Sequence, residues 1–144
     1  MSQSPDKMEI TGWQLVEGVW GFLNVVFDHA CPVLDKHGLH QKSLVLLALL
    51  NVADTAQELA RLLRTPSSSL SYLLKEMEEK GLIERTIDAR DKRKFRFVRT
   101  PKGDAAHEAG RDAINAAVAE RFAALSDDEQ RTLKAALPLL HRLQ

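Results

Sequence analysis

The chain has little of what secreted and membrane proteins rely on. Its 144 residues include one cysteine, Cys31, which excludes an intramolecular disulfide framework. It has no run of about 18 apolar residues, and its N-terminus lacks the basic-then-apolar pattern of a signal peptide. We therefore expect a cytoplasmic protein without a membrane partner. The low glycine and proline content and an apolar fraction of 44% indicate an ordinary, mostly helical globular domain.

Recognisable catalytic machinery is also missing from the sequence. There is no Ser-His-Asp or Cys-His arrangement, no glycine-rich phosphate loop and no distinctive pair of carboxylates. His29, Cys31, His37 and His40 lie close together, but their spacing matches no metal motif. We expect no enzymatic activity, no bound metal and no cofactor.

Charge of one sign is not in excess overall, because 20 basic residues balance 20 acidic ones. The distribution is uneven, however. Between Arg85 and Lys102 there are eight cations and two acids, a local excess of +6 that leaves −6 on the rest of the chain. A concentrated positive segment on an acidic body suits the phosphate backbone of DNA, because each neutralised phosphate releases condensed counterions.

Apolar periodicity predicts three helices between residues 10 and 63. The first spans residues 10–29 and has two apolar faces, so it requires burial on more than one side. It is predicted to end at Cys31-Pro32, because proline disfavours helical conformation in the residue before it. The others are predicted over residues 43–50 and 55–63. The inner edge of the third helix is formed by Leu59, Leu62 and Leu63.

A fourth helix is predicted over residues 66–80. Thr65 is the expected N-cap, Pro66 fits the first helical position, and Gly81 ends the helix as a C′ glycine. The spacing i, i+3, i+4 and i+7 defines a core face, which consists of Leu70, Leu73, Leu74 and Met77.

The opposite face of this fourth helix has the chemistry of a DNA-reading surface. It carries short hydroxyls, one aromatic ring and one cation: Ser67, Ser68, Ser71, Tyr72 and Lys75. Small residues near a helix N-terminus allow close approach to DNA, so that free amides and hydroxyls bind phosphate while longer side chains reach base edges. A capped surface helix with solubilising serines is the alternative explanation.

The cationic segment is predicted to be the tip of a β-hairpin. Residues 95–99 alternate, with Phe95 and Phe97 on one side of a strand and Arg96 on the other. The connection runs from Asp88 to Lys94. We expect its cations to bind DNA in the flanking minor groove and its two acids to hold the turn. The DNA-binding cations are Arg90, Lys92 and Arg93, and the supporting acids are Asp88 and Asp91.

Five short segments occur together in a specific order and spacing: Glu58-Leu59-Ala60, Pro66 to Ser71, Lys80 to Arg85, Asp88-x-Arg90-Asp91-Lys92-Arg93 and Thr100-Pro101-Lys102-Gly103. In these segments the chain resembles the MarR-type winged helix-turn-helix transcriptional regulators, and the likeness covers nearly its whole length. The resemblance implies a mostly α fold with a small β-hairpin wing. It also implies a homodimer held by interlocked N- and C-terminal helices, in which two winged helices read a pseudo-palindromic operator in double-stranded DNA.

The corresponding division is an N-terminal arm and dimerisation helix (1–35), a DNA-binding lobe (36–100) and C-terminal dimerisation helices (101–144), interlocked as one domain. An alanine-rich helix is predicted over residues 101–125, and its small residues would permit close packing: Ala105, Ala109, Ala113 and Ala117. A capping box at Ser126 to Glu129 opens a last helix, which Pro138 is expected to bend or restart. That helix carries Leu133, Leu137 and Leu140.

The predicted function is that of a repressor released by a small effector, which in the family is often aromatic or phenolic. Trp13 and Trp20 are candidate walls of the effector pocket, with packing in an interface as the alternative. Three other functions stay open: a winged-helix interaction module that does not bind DNA, a redox-responsive regulator using Cys31, and a metal-responsive regulator using the histidines. The operator, the regulated genes and the direction of regulation do not follow from the sequence.

Overall fold

The computed structural model describes residues 11–142 as six helices and one two-stranded sheet. Ile10, the predicted start of the first helix, lies outside these residues. The predicted mostly helical fold with a β-hairpin wing is confirmed. No helix in the described part of the chain is long and apolar enough to cross a membrane. In chain order the elements are α1 (Gly12–Lys36), α2 (Gln41–Leu49), α3 (Ala56–Leu62), α4 (Ser67–Glu79), β1 (Ile83–Ile87), β2 (Phe95–Arg99), α5 (Pro101–Phe122) and α6 (Asp127–Arg142).

The predicted end of the first helix at Cys31-Pro32 is wrong, because α1 continues to Lys36 with Pro32 inside it. A proline within a helix costs about 3 kcal/mol through a lost hydrogen bond and a steric clash. On either side of it, Ala30 and Leu34 are buried in the core. Their packing favours continuation of the helix, a long-range effect that the local preference of proline does not include.

Helices α2, α3 and α4 pack around one hydrophobic core. The predicted core face of α4 is confirmed, since all four of its residues are buried. The inner edge predicted for α3 is only partly right: Leu59 is fully buried and Leu63 packs partly against the core, but Leu62 is 39% exposed. With seven residues, α3 has about two turns, so few of its side chains can face the core.

Helix α4 begins one residue later than predicted. Pro66 is its N-cap, and no side chain caps the helix, so the prediction of Thr65 as the cap is wrong. The N–H of Thr65 instead donates to the carbonyl of Ala60 and closes the end of α3. Gly81 ends α4 as predicted, with a φ of +69°. The N–H of Leu82 then donates to the carbonyl of Met77, five residues earlier, as in a Schellman motif.

The hairpin pairs β1 and β2 in antiparallel register from Ile83 opposite Arg99 to Ile87 opposite Phe95. Its base is attached to the loop between α2 and α3. The N–H of Phe97 donates to the carbonyl of Asp54 at 2.8 Å, next to an isolated bridge between Thr55 and Arg96. These backbone contacts therefore attach the base of the wing to the loop before α3.

Helix α5 packs through a different set of small residues from the predicted alanine stripe. Of the four predicted alanines, Ala117 is buried, Ala109 and Ala113 are partly buried and Ala105 is exposed. A four-residue spacing drifts around a helix that has 3.6 residues per turn. The buried small residues of α5 are Gly103, Ala106, Gly110 and Ala117.

Helix α6 opens with the predicted capping box, in which the N–H of Ser126 donates to Glu129 and the N–H of Glu129 donates to Ser126. The helix then continues through Pro138 to Arg142, so it does not restart at the proline. None of its residues is buried in the single chain. The large apolar residues exposed on α1 and α6 are Trp13, Leu15, Val16, Val19, Trp20, Phe22, Leu23, Val25, Leu133, Leu137, Leu139 and Leu140.

Candidate nucleic-acid interface

The outer face of α4 carries the predicted DNA-reading residues, and all of them are exposed. Tyr72 is 74% exposed. The hydroxyl of Ser71 donates to the carbonyl of Ser67 at 2.8 Å, and the ammonium of Lys75 lies 3.8 Å from Glu79. The ring of Tyr72 therefore faces solvent. This solvent-facing set is Ser67, Ser68, Ser71, Tyr72 and Lys75.

The first turn of α4 presents backbone donors. No side chain caps the helix, and the first intrahelical bond runs from the N–H of Leu70 to the carbonyl of Pro66. The amides of residues 67–69 have no earlier carbonyl within the helix to bond. Their partial positive charge, together with the helix dipole, favours an anion such as a DNA phosphate.

Asp88 organises the turn of the wing. Its Oδ1 accepts from the N–H groups of Arg90 at 2.6 Å and Asp91 at 3.0 Å, and its Oδ2 accepts from Nε of Arg96 at 2.5 Å. These hydrogen bonds lower the pKa of Asp88 from 3.8 to about 2. The two backbone bonds, from Arg90 and Asp91, have the largest effect, and the bond from Arg96 comes next. Asp91 accepts in turn from the N–H of Arg93 at 3.0 Å.

The three wing cations predicted to bind DNA are exposed and unpaired. Within residues 11–142, no acidic side chain lies within 4 Å of the charged groups of Arg90, Lys92 or Arg93. Lys94 differs, because its ammonium lies 4.0 Å from Asp91. The turn therefore holds the backbone of the wing through its acids and leaves these three cations available to a polyanion.

Arg96 is a site residue whose role the sequence did not reveal. Its Nη1 lies 2.7 Å from both carboxylate oxygens of Asp54, while its Nε donates to Asp88. Hydrogen bonds and charge from Asp54, then from Asp88, raise the pKa of Arg96. The residue thus connects the wing turn to the loop before α3. The alternation of β2 correctly placed Arg96 opposite the phenylalanines, but Asp54 is 42 positions away.

A second link connects the wing to α4. The guanidinium of Arg85 lies 5.2 Å from the centre of the Phe95 ring, which permits a cation–π contact between the two strands. Its Nε also lies 3.0 Å from Glu78 on α4. The two groups of candidate DNA-binding residues lie on separate elements, and Arg85 joins those elements.

The tryptophans proposed for an effector pocket lie apart from the large apolar cavity. Trp13 and Trp20 are 71% and 64% exposed on α1. The cavity, of about 850 Å³, lies between α1 and α6, and neither tryptophan contributes to its lining. Its walls include Leu15, Val19, Phe22, Leu133, Leu137 and Leu140.

The environment of Cys31 disfavours a reactive thiolate. Its Sγ donates to a carboxylate oxygen of Asp35 at 3.6 Å, and the negative charge of that carboxylate raises the pKa of the thiol. A redox sensor needs the opposite shift.

The histidines near Cys31 bond in different places. His29 lies 3.3 Å from Glu120, and His40 caps α2. In the described part of the chain, no three potential metal ligands of the His, Cys, Asp or Glu type lie together.

Comparison with known proteins supports the same class of molecule. Residues 40–94 match the sequence model of the MarR family. No curated protein is significantly similar to the chain. Among solved structures, an F27L mutant of S. aureus MepR bound to an oligodeoxyribonucleotide shares 25% identity, covering 94% of this chain and 100% of that one, with a TM-score of 0.62.

Two further structures cover nearly the whole chain. A probable transcriptional regulator from Pseudomonas aeruginosa is 25% identical over 96% of this chain and 98% of its own, with a TM-score of 0.68. A MarR family protein of Mycobacterium tuberculosis, in complex with p-aminosalicylic acid, has the same fold. It is 22% identical over 88% of this chain and 98% of its own, with a TM-score of 0.70.

The helix-turn-helix of α3 and α4, followed by the hairpin, defines a winged helix-turn-helix fold, an architecture found in DNA-binding regulators. Within that class, the match of residues 40–94 and the shared fold make the chain similar to the MarR-type transcriptional regulators.

Proposed function

We propose that this chain is a homodimeric, sequence-specific repressor that a small effector releases from DNA. The observation that carries the proposal is the combination of three unpaired cations on the wing with an uncapped, hydroxyl-rich start of α4. Phosphate binding requires free cations and free amides, and both are present on elements that Arg85 links.

Under this proposal α4 is the recognition helix. Its first two turns enter the major groove, where Ser67 and Ser68 bind phosphate and Tyr72 and Lys75 reach base edges, with Ser71 between them. The acidic residues at its far end stay outside the groove. The wing cations Arg90, Lys92 and Arg93 bind the adjacent minor groove and backbone.

A second copy of the chain is the proposed partner of the exposed apolar faces of α1 and α6. In the single chain these faces expose large apolar side chains to solvent, among them Trp20 at 64% and Leu137 at 55%. Contiguous apolar surface of this kind marks an interface. This pairing supports the division into an N-terminal dimerisation helix (1–35), a DNA-binding lobe (36–100) and C-terminal dimerisation helices (101–144).

The proposed effector is small and aromatic or phenolic. Support comes from the M. tuberculosis relative of the same fold, which is solved with p-aminosalicylic acid. Trp13 and Trp20 remain the candidate pocket residues, and their fluorescence provides the assay. Titration of the dimer with p-aminosalicylate should quench that fluorescence and lower DNA affinity together if the two sites are coupled.

The decisive experiment measures the salt dependence of DNA binding. Duplexes bound by the protein are selected from a random-sequence library, and the affinity of the best one is measured across a range of salt concentrations. The logarithm of the affinity should fall linearly with the logarithm of salt concentration, by about 0.9 for each phosphate neutralised. The selected sequence should be pseudo-palindromic. An interaction module that does not bind DNA would select no sequence and show no salt slope.

A further inference from the structure

The three residues that follow α4 accept hydrogen bonds, through their backbone carbonyls, from residues at the start of α5. The carbonyl of Lys80 accepts from Nζ of Lys102 at 2.6 Å, and that of Gly81 accepts from the hydroxyl of Thr100 at 2.6 Å. The carbonyl of Leu82 accepts from the N–H of Thr100 at 3.1 Å. We call residues 80–82 with residues 100–103 the α4–α5 joint.

Gly103 brings the two sides of this joint into backbone contact. A Cβ atom at this position would overlap the carbonyl oxygen of Leu82 and lie 2.9 Å from its carbonyl carbon. Leu82 is fully buried, and its backbone is held by the bonds of the joint. The hydroxyl of Thr100 also accepts from the N–H of Gly103 at 3.0 Å. The joint is therefore close-packed backbone, with little freedom to tilt.

The far end of α5 is bonded to α1. Nη2 of Arg121 donates to the carbonyl of Val25 at 3.3 Å, and Glu120 lies 3.3 Å from His29. With 22 residues, α5 is about 33 Å long. A single rigid helix thus runs from the exit of α4 to the helix that carries the exposed apolar face. A small change of angle at the joint would displace α4 relative to that face.

We propose that the α4–α5 joint fixes the direction of α4 relative to the dimer interface. Gly103 and Thr100 are then positioning residues that set the spacing of the two recognition helices without touching DNA. This inference rests on the proposed function, in which two copies present α4 to half-sites about 34 Å apart. The preferred spacing between the two half-sites is then set in part by Gly103 and Thr100, which do not contact the bases.

The first test uses a matched pair of glycine substitutions in α5. Gly103→Ala crowds the carbonyl of Leu82, whereas Gly110→Ala crowds only the side-chain ends of Leu44, at 2.6 Å, and Leu34, at 3.0 Å. Both make the same chemical change in the same helix. A spin label at Glu79→Cys, in a Cys31→Ser background, reports the distance between the two copies of α4. We expect a shifted or broadened distance distribution for Gly103→Ala and an unchanged one for Gly110→Ala.

The second test uses the duplex selected by the wild-type protein, the same duplex with one base pair added between its half-sites, and a single half-site. Gly103→Ala should lose at least about fivefold in affinity for the selected duplex. Its affinity for the single half-site should stay unchanged, and so should its helix content. Thr100→Val, which removes the hydroxyl, should behave in the same way, and Thr100→Ser should restore wild-type discrimination.

Equal effects of Gly103→Ala and Gly110→Ala, or a wild-type spacing preference in Gly103→Ala, would overturn the proposal. If Gly103→Ala does not fold, Thr100→Val and Thr100→Ser provide the test. The same spacing preference in these two variants would contradict the proposal. If the wild-type protein binds no duplex, the proposed function fails. The spin-label distances still test whether the α4–α5 joint sets the position of α4, because the measurement requires the dimer but no DNA.

Discussion

At the scale of single residues, the conformation of the wing turn depends on the carboxylate of Asp88 rather than on the wing cations. Asp88 receives two backbone donors and one guanidinium, and its side chain is almost completely shielded from solvent. Each bond favours the charged form, which is why its pKa falls to about 2. The cations proposed to bind DNA are therefore held in place by an acid that is not proposed to contact DNA.

Stability should consequently depend on the ionisation of Asp88. Its folded pKa, about 2, lies below the ordinary value of 3.8, so the charged form stabilises the fold above pH 3.8. That stabilisation is lost as the pH falls through 3.8 toward 2. We expect Asp88→Asn to lower the free energy of unfolding at neutral pH and to show a smaller further loss in acid. Urea denaturation from pH 6 to pH 2 measures both.

Asp91→Asn is the matched control for this titration. It removes a carboxylate from the same turn and leaves all three donors to Asp88 in place. Parallel acid profiles for wild type and Asp88→Asn would show that Asp88 does not couple folding to pH.

The wing cations should act through charge. Arg90→Ala or Arg93→Ala should each weaken DNA binding for every sequence and reduce the salt slope by about 1. Arg111→Ala is the control, because that guanidinium lies on α5 beside Asp112 and Glu108. Fluorescence anisotropy at several salt concentrations gives the slopes. If both wing variants keep the wild-type slope, the wing does not contact phosphate.

At the scale of elements, the position of the wing should depend on the cross-link made by Arg96. Replacing it with glutamine removes the cation between Asp54 and Asp88, which leaves a buried carboxylate without its counter-charge. We expect faster amide hydrogen exchange at residues 89–94 and weaker DNA binding, while the protection of α4 is unchanged.

Lys94→Gln separates loss of the Arg96 cross-link from loss of any nearby cation. Among residues 11–142, the acidic side chain near the ammonium of Lys94 is that of Asp91, at 4.0 Å, so exchange in the wing should remain as in the wild type. The same exchange rates in Arg96→Gln and wild type would show that Arg96 does not hold the wing.

The elements that could be predicted from the sequence are those in which a local pattern and the core agree. The leucines of α4 follow directly from periodicity, because that face of the helix is buried, and in β2 the alternation correctly separates the buried Phe97 from the exposed Arg96. The errors occur where distant residues decide. Pro32 stays helical because its neighbours reach the core, and Gly103 and Gly110, rather than an alanine stripe, set the approach of α5.

The candidate site divides in the same way. The exposed hydroxyls of α4 and the cations of the wing follow from local chemistry, and their contacts with DNA stay a prediction. The bond from Arg96 to Asp54 joins residues 42 positions apart, and no single-sequence pattern indicates it. The joint at Gly103 is equally non-local, because its partner carbonyl belongs to Leu82.

At the scale of the whole molecule, the single chain leaves α6 without a buried residue. A helix of 16 residues is only marginally stable in water without tertiary packing. Its leucines face α1 across the apolar cavity, whose walls come from both helices. Covering this surface with a second copy would bury the apolar side chains exposed on both helices and would stabilise α1 and α6 together.

Leu137→Glu should therefore convert the protein to a monomer. Leu137 is 55% exposed and lines the cavity between α1 and α6. In a two-fold dimer each substitution occurs twice, so the interface would have to bury two unpaired carboxylates, at a cost of several kcal/mol each. Val52→Glu is the control, because Val52 is 76% exposed in the loop between α2 and α3, away from both helices. Sedimentation equilibrium at micromolar concentration should show a dimer for the wild type and for Val52→Glu. The Leu137→Glu monomer should retain only half-site affinity for DNA. A Leu137→Glu dimer would place the pairing surface elsewhere, and a wild-type monomer would show that the chain does not pair.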